Sequence, residues 1–196
     1  MRESQFRPRV IGGVALALLA AAPALAAGGI SGKVTAKSAK FLKNAVVYVE
    51  QAPVKPAPKT AQMDQKGQLF VPFVLPVVKG TTIEFLNHDD TGHNVFSPDG
   101  EKFDLGVFTK DQVRKYTVDR EGVYTLLCKM HPSMIAYIVS LQNPYFAVTG
   151  DDGAFTIADV PPGDYTLKVW HERKHAEPLK VTVPATGAAG LLLELH

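Results

Sequence analysis

Short runs of β-branched and aromatic residues recur along the chain, separated by turn-forming Gly, Pro, Asn and Asp. Runs of this kind predict strands rather than helices. They fall at Gly29–Thr35, Ala45–Glu50, Leu69–Leu75, Thr81–Leu86, His93–Phe96, Val113–Val118, Gly122–Leu127 and Ile135–Leu141. A further group follows at Tyr145–Thr149, Ala154–Ile157, Tyr165–Trp170, Leu179–Val183 and Leu191–Leu195. No stretch beyond the first residues sustains the spacing of a long amphipathic helix, so the pattern predicts an all-β protein of sandwiches or barrels.

The first 26 residues follow a different pattern. Arg2, Arg7 and Arg9 precede the uncharged apolar run Val10–Leu19, and Ala24-Leu25-Ala26 fits a small-x-small cleavage site. Residues 1–26 are therefore expected to be a cleaved export signal, with no membrane span in the mature chain. Removing it changes the charge. The whole chain has 21 Lys and Arg against 19 Asp and Glu; the signal takes three Arg and one Glu, leaving 18 of each and a net charge of zero. A neutral chain without a basic block offers no electrostatic footprint for nucleic acid.

Two places divide the remainder. Gln51–Thr60 (QAPVKPAPKT) is rich in Pro and Lys and reads as an extended linker or exposed loop. The pattern changes again near Gln142-Asn143-Pro144.

Cysteine usage introduces chemistry. Cys128 is the single cysteine, so it has no internal disulfide partner. An exported free thiol is exposed to oxidation unless it is buried or metal-bound. In Tyr124–Met134 (YTLLCKMHPSM), Cys128 ends a strand, His131 follows three residues later and Met134 three after that. Thiolate, imidazole and thioether are soft or borderline donors that suit copper, and two imidazoles with a thiolate and a weak thioether make a blue-copper set. Pro132 fixes its own φ and biases His131 toward extended backbone, stiffening the loop. His93, at the start of its own predicted strand, is the candidate fourth donor, and the adjacent Asn94 amide is a candidate hydrogen-bond donor to the thiolate. Zinc is the chemical alternative, but a structural zinc site wants four strong donors, and Met is not one. His88 reads as a polar turn, His171 and His175 as a strand end and solvated turn, and His196 as a fraying end.

Residues 62–141 resemble a cupredoxin of the plastocyanin and amicyanin type. The resemblance rests on Phe70-Val71-Pro72, Val78–Thr82, Phe85-Leu86-Asn87, Gly92-His93-Asn94-Val95 and Cys128-Lys129-Met130-His131-Pro132-Ser133-Met134. The Cys-x-x-His-x-x-Met spacing is similar to the short ligand loop of amicyanin. The resemblance implies a Greek-key β-sandwich holding one type 1 copper. His93, Cys128 and His131 would be its equatorial ligands and Met134 its axial one.

Tyr145–Glu172 resembles a carboxypeptidase regulatory-like, transthyretin-like sandwich, carried by the Asp151-Asp152-Gly153 turn and by Asp159–Tyr165 (DVPPGDY). Ile30–Thr35 with Leu42–Glu50 is similar to the first two strands of the same family. The expectation is a cupredoxin domain, 61–141, inserted into a discontinuous host of residues 27–60 and 142–196. One continuous sandwich with a free N-terminal arm is the alternative. No HExxH or GxSxG motif occurs, so the chain is not read as an enzyme. The two resemblances together imply a periplasmic electron carrier with a redox partner such as a c-type cytochrome. Two other readings stay open. One is a carbohydrate- or envelope-binding module with structural or sensory copper; the other is a copper-handling protein.

Overall fold

The computed structural model describes residues 28–54, 57 and 59–196; the expected signal, 1–26, lies outside them. The described residues are all-β, with one short 3-10 turn at Ala39–Phe41. The first two strands are β1 (Gly28–Ala36) and β2 (Val46–Val49). Nine follow: β3 (Thr60–Gln65), β4 (Phe70–Val71), β5 (Val74–Val78), β6 (Thr82–Asn87), β7 (His93–Ser97), β8 (Phe103–Phe108), β9 (Val113–Thr117), β10 (Gly122–Leu127) and β11 (Ile135–Leu141). The last six are β12 (Phe146–Val148), β13 (Ala154–Val160), β14 (Gly163–His171), β15 (Lys174–His175), β16 (Leu179–Val183) and β17 (Ala188–Leu195).

Strands β3–β11 form two sheets, ordered β4-β3-β6-β9 and β5-β11-β10-β7-β8. Their facing side chains, among them Met63, Phe85, Val95, Tyr124, Leu126 and Ile138, make one core. Strands β1, β2 and β12–β17 form the other two sheets. One is β13-β1-β17; the other is β12-β2-β14-β15, with β16 on β14. A second core lies between them, around Ile30, Val34, Val47, Phe155, Leu167 and Leu193.

Period-two alternation explains why β2 and β11 are hydrophobic on both faces. In β11, Ala136 and Ile138 enter the first core, while Val139 and Leu141 point the other way. In β2, Val47 and Val49 enter the second core, while Val46 turns outward. The outward residues Val46, Val74, Val139 and Leu141 meet in a third cluster with Tyr48, Tyr137 and Trp170, and this cluster joins the two pairs of sheets. The Tyr137 and Trp170 rings lie 5.0 Å apart within it.

The segment predicted as linker differs at its end, where Thr60 already belongs to β3. That strand was hidden because its alternation, Ala61-Met63-Gln65, buries a glutamine as its third inward residue. The Gln65 Nε2 donates to the Asn94 carbonyl at 3.3 Å, while its Oε1 is buried without a partner among the described residues. Strand β8 was also unpredicted. Its FDLGVF run contains Gly106 at φ 69°, and the register shifts where β7 pairs with it between Asn94 and Phe96.

Candidate metal centre

Strand pairing brings distant residues together. β7 runs antiparallel to β10, with Leu127 opposite Phe96. The start of β7 and the end of β10 therefore meet at one end of the sheet. His93 opens β7 and Cys128 follows β10, so the pairing alone delivers both donors to one place. The hairpin of β10 and β11 stays in register from Gly122↔Ser140 to Leu127↔Ile135. Its connecting loop, residues 128–134, is thus held at both ends by a regular ladder. Within the loop the Met134 N–H donates to the His131 carbonyl at 2.9 Å, closing a tight turn.

His93, Cys128 and His131 each present a ligand atom, all within 4.8 Å of one another. An ion about 2.0–2.3 Å from nitrogen and sulfur donors bridges such a set with small side-chain adjustments. His93 is fully buried, Cys128 is buried and His131 is partly exposed. The two imidazoles face each other through Nδ1 at 3.0 Å. His93 Nε2 lies 2.8 Å from Asp89 Oδ2. A carboxylate only accepts, so Nε2 carries the hydrogen and a neutral His93 keeps a lone pair on Nδ1, the atom turned toward Cys128 and His131. This is the carboxylate–histidine support found behind metal-bound imidazoles. Without a cation, two inward lone pairs beside a thiolate would repel unless His131 Nδ1 kept its proton. One borderline-soft cation satisfies all three donors. The set fits a single copper ion.

Asp89 was not read from the sequence, where Asp89 and Asp90 look alike in a polar turn. The structure separates them. Burial raises the Asp89 carboxyl, but the Gln68 and Gly67 backbone N–H groups and His93 outweigh it and hold the pKa below the ordinary value. Asp90 faces outward and pairs with Lys110 at 2.6 Å.

Asn94 supports the thiol differently from expectation. Its backbone N–H, not its side-chain amide, donates to Cys128 Sγ at 3.4 Å. A backbone donor is fixed by the strand, whereas the side chain is occupied elsewhere. Asn94 Nδ2 donates to Asp104 Oδ1 at 2.7 Å, and Oδ1 accepts from the Lys129 N–H at 3.4 Å. Lys129 Nζ also pairs with Asp104 at 2.5 Å. That ammonium, the Gly106 N–H and the Asn94 amide hold the Asp104 carboxyl at about 2. Residue 129, next to the thiol, is thus tied to β7 and β8 at two points.

Met134 is fully buried in the same core cluster as Cys128. Around the partly exposed His131 lie exposed Met130, Pro132 and Ile135. The other histidines sit apart from the cluster. His88 pairs with Asp64 at 2.7 Å on an exposed face. His171 is buried beside Phe41, and His175 neighbours His196, with ring centroids 5.9 Å apart.

Residues 120–188 match the family described as polysaccharide lyase family 4, domain II. The match begins before β10 and runs into β16–β17, covering about a third of the chain. No curated protein matches. Among solved structures, a purple cupredoxin from Nitrosopumilus maritimus is 22% identical, with 41% of this chain and 98% of that one covered at a TM-score of 0.38. A copper-containing nitrite reductase from Thermus scotoductus is 24% identical over 55% of this chain and 28% of its own, at a TM-score of 0.39. A reduced tryptophan-to-tyrosine variant of amicyanin is 22% identical over 48% of this chain and 97% of its own, at a TM-score of 0.40.

Proposed function

We propose that this chain is an exported, periplasmic one-electron carrier with a type 1 copper site held by His93, Cys128 and His131, with Met134 as a weak axial donor. The observation that carries the reading is the convergence of the two Nδ1 atoms and the Cys128 thiol at the end of a β-sandwich. Copper, when bound, supplies a Cu(I)/Cu(II) couple. The protein's part is to hold the donors still. Asp89 fixes the His93 ring, the Asn94 N–H steadies the sulfur, and the Lys129–Asp104–Asn94 contacts anchor the loop. A site that does not rearrange costs little to oxidise or reduce.

His131 is the donor that reaches solvent, so its edge is the exit for the electron. Met130, 54% exposed, and Ile135, 37% exposed, give the surrounding surface an apolar character suited to a small, transient contact with a redox partner such as a c-type cytochrome. The neutral mature charge implies that the encounter depends only modestly on salt. No substrate pocket is needed for this role, and we read the chain as a carrier rather than an enzyme. Among the described residues no helix is long and apolar enough to cross a membrane.

A second reading has its own observation. The match of residues 120–188 to a polysaccharide lyase domain favours a carbohydrate- or envelope-binding role for the sheets built on β14. Fast Cu(I)/Cu(II) cycling separates the two, since binding sugar does not require it.

The test is a copper(II) titration of the mature chain, followed by visible absorption and EPR. Intense blue or green colour with narrow copper hyperfine splitting at one equivalent is expected, and Cys128→Ser should abolish the colour. A pale complex with ordinary splitting, or a coloured Cys128→Ser protein, refutes the thiolate assignment.

A further inference from the structure

The turn between β14 and β15, Glu172-Arg173, lies beside the 3-10 turn Ala39–Phe41. Between them is a cavity of about 280 Å³ that Phe73 also lines. Its wall is rich in hydrogen-bond donors. Lys40 and Arg173 line it, and His171 lines it from a side chain that is 8% exposed. His171 Nδ1 accepts the Arg173 N–H at 3.1 Å, so Nε2 carries the hydrogen and is a donor. The one carboxylate in the wall is engaged. The Glu172 carboxylate accepts from the Tyr137 hydroxyl at 3.3 Å and from Arg173 Nε at 3.3 Å.

The local field is positive. Lys40 Nζ lies 4.9 Å from the Phe41 ring centroid and Lys174 Nζ 4.7 Å from the same ring. Neither ammonium meets a carboxylate among the described residues. Lys43, also in the wall, pairs among the described residues with a largely exposed Asp151. Burial, the larger effect, and the neighbouring Arg173 and Lys174 lower the His171 pKa against the pull of Glu172, so the ring stays neutral and donates without bringing a buried charge.

We propose that this cavity binds a small carboxylate-bearing ligand, with Lys40, Arg173 and the His171 Nε2–H around the carboxylate and the Phe41 and Phe73 rings against its apolar face. The guanidinium fork matches a planar carboxylate. Glu172 in the wall repels a dianion more than a monoanion, which favours carboxylate over phosphate. The volume admits a molecule the size of one sugar ring. The ligand class does not depend on the copper reading, because none of these residues belongs to the metal cluster.

The test is isothermal titration of the full chain at low ionic strength with galacturonate, acetate, galactose and inorganic phosphate. Galacturonate should bind with Kd of about 0.1–1 mM and weaken with added salt, while galactose stays silent. Lys40→Ala with Arg173→Ala should weaken binding roughly tenfold or more, with far-UV circular dichroism unchanged. The exposed single variant Lys40→Gln is the check should the double variant misfold, and it should weaken binding in the same direction. Acetate binding as well as galacturonate supports the same site and assigns it to simple carboxylates. Silence toward both up to about 10 mM, galactose binding as tightly as galacturonate, phosphate binding alone, or undiminished affinity in the variants would overturn the proposal.

Discussion

At the residue scale, the candidate ligands stood out in the sequence because their types are scarce. One Cys, six His and four Met leave few ways to assemble a soft site, and Cys128, His131 and Met134 sit three apart. Their partners were not legible. Asp89 is one of two adjacent aspartates, and only the fold shows which of them turns inward to His93. The same holds for Asn94, where the fold assigns the thiol contact to the main chain and the amide to Asp104. Met134 is the candidate ligand whose role a single substitution can decide. Its full burial agrees equally with an axial thioether and with core packing. Met134→Gln should keep copper and shift the reduction potential, read by voltammetry on the loaded protein. A variant that binds no copper would make Met134 an essential ligand and contradict the weak-axial picture.

At the scale of elements, the ligand loop is held by β7 and β8 through Asp104 as well as by its own hairpin. The Asp104 carboxyl is held at about 2, below its unfolded value of 3.8. A depressed carboxylate contributes stability above its unfolded pKa, and that contribution disappears as pH falls through the folded one. Asp104→Asn should therefore be less stable than the parent at pH 7, with the gap closing between about pH 4 and pH 2. The side chain is 44% exposed, so solvent screening keeps the effect small. Urea unfolding at a series of pH values measures it, and a gap independent of pH would dismiss the ion pair as its source. A second element depends on a missing side chain. β1 pairs in parallel with β17 through Gly32↔Leu191, and a Cβ on Gly32 would run into the Leu191 carbonyl. Gly32→Ala should cost about 1–3 kcal/mol in chemical unfolding, because backbone rather than a flexible side chain must yield. A neutral result would show that the β1–β17 contact is looser than it stands. Elements dense in β-branched and aromatic residues, such as β2, β6, β10 and β11, were legible in the sequence. Those that bury an amide or turn on a left-handed glycine, β3 and β8, were not.

At the scale of the whole molecule, the sequence showed two resemblances but not how they meet. The chain leaves β2 and returns to β12 at neighbouring points. The Ala52 N–H donates to Gln142 Oε1 at 3.2 Å, Gln142 Nε2 donates to the Ala52 carbonyl at 3.4 Å, and Asn143 Nδ2 donates to the Val49 carbonyl at 2.9 Å. Because exit and return are hydrogen-bonded to each other, we propose that residues 61–141 form an insert in a sandwich made by 27–60 and 142–196. An insert whose ends lie together disturbs its host little. The junction is not passive, however. Val46, Tyr48, Phe146 and Trp170 on the host side are covered by Phe73, Val74, Tyr137 and Val139 on the other. Deleting residues 61–141 and closing the gap should leave a folded sandwich, because the core around Ile30, Val47, Phe155 and Leu167 receives no side chain from the deleted segment. The product should be less soluble than the parent, since the deletion uncovers an apolar face. Replacing Trp170 and Val46 with polar residues in the shortened chain should recover solubility. Dispersed amide resonances would support the insert arrangement. A collapsed, poorly dispersed spectrum in both the shortened chain and its polar-face version would mean that the two pairs of sheets fold only as one unit, with the Tyr137–Trp170 contact part of a common core.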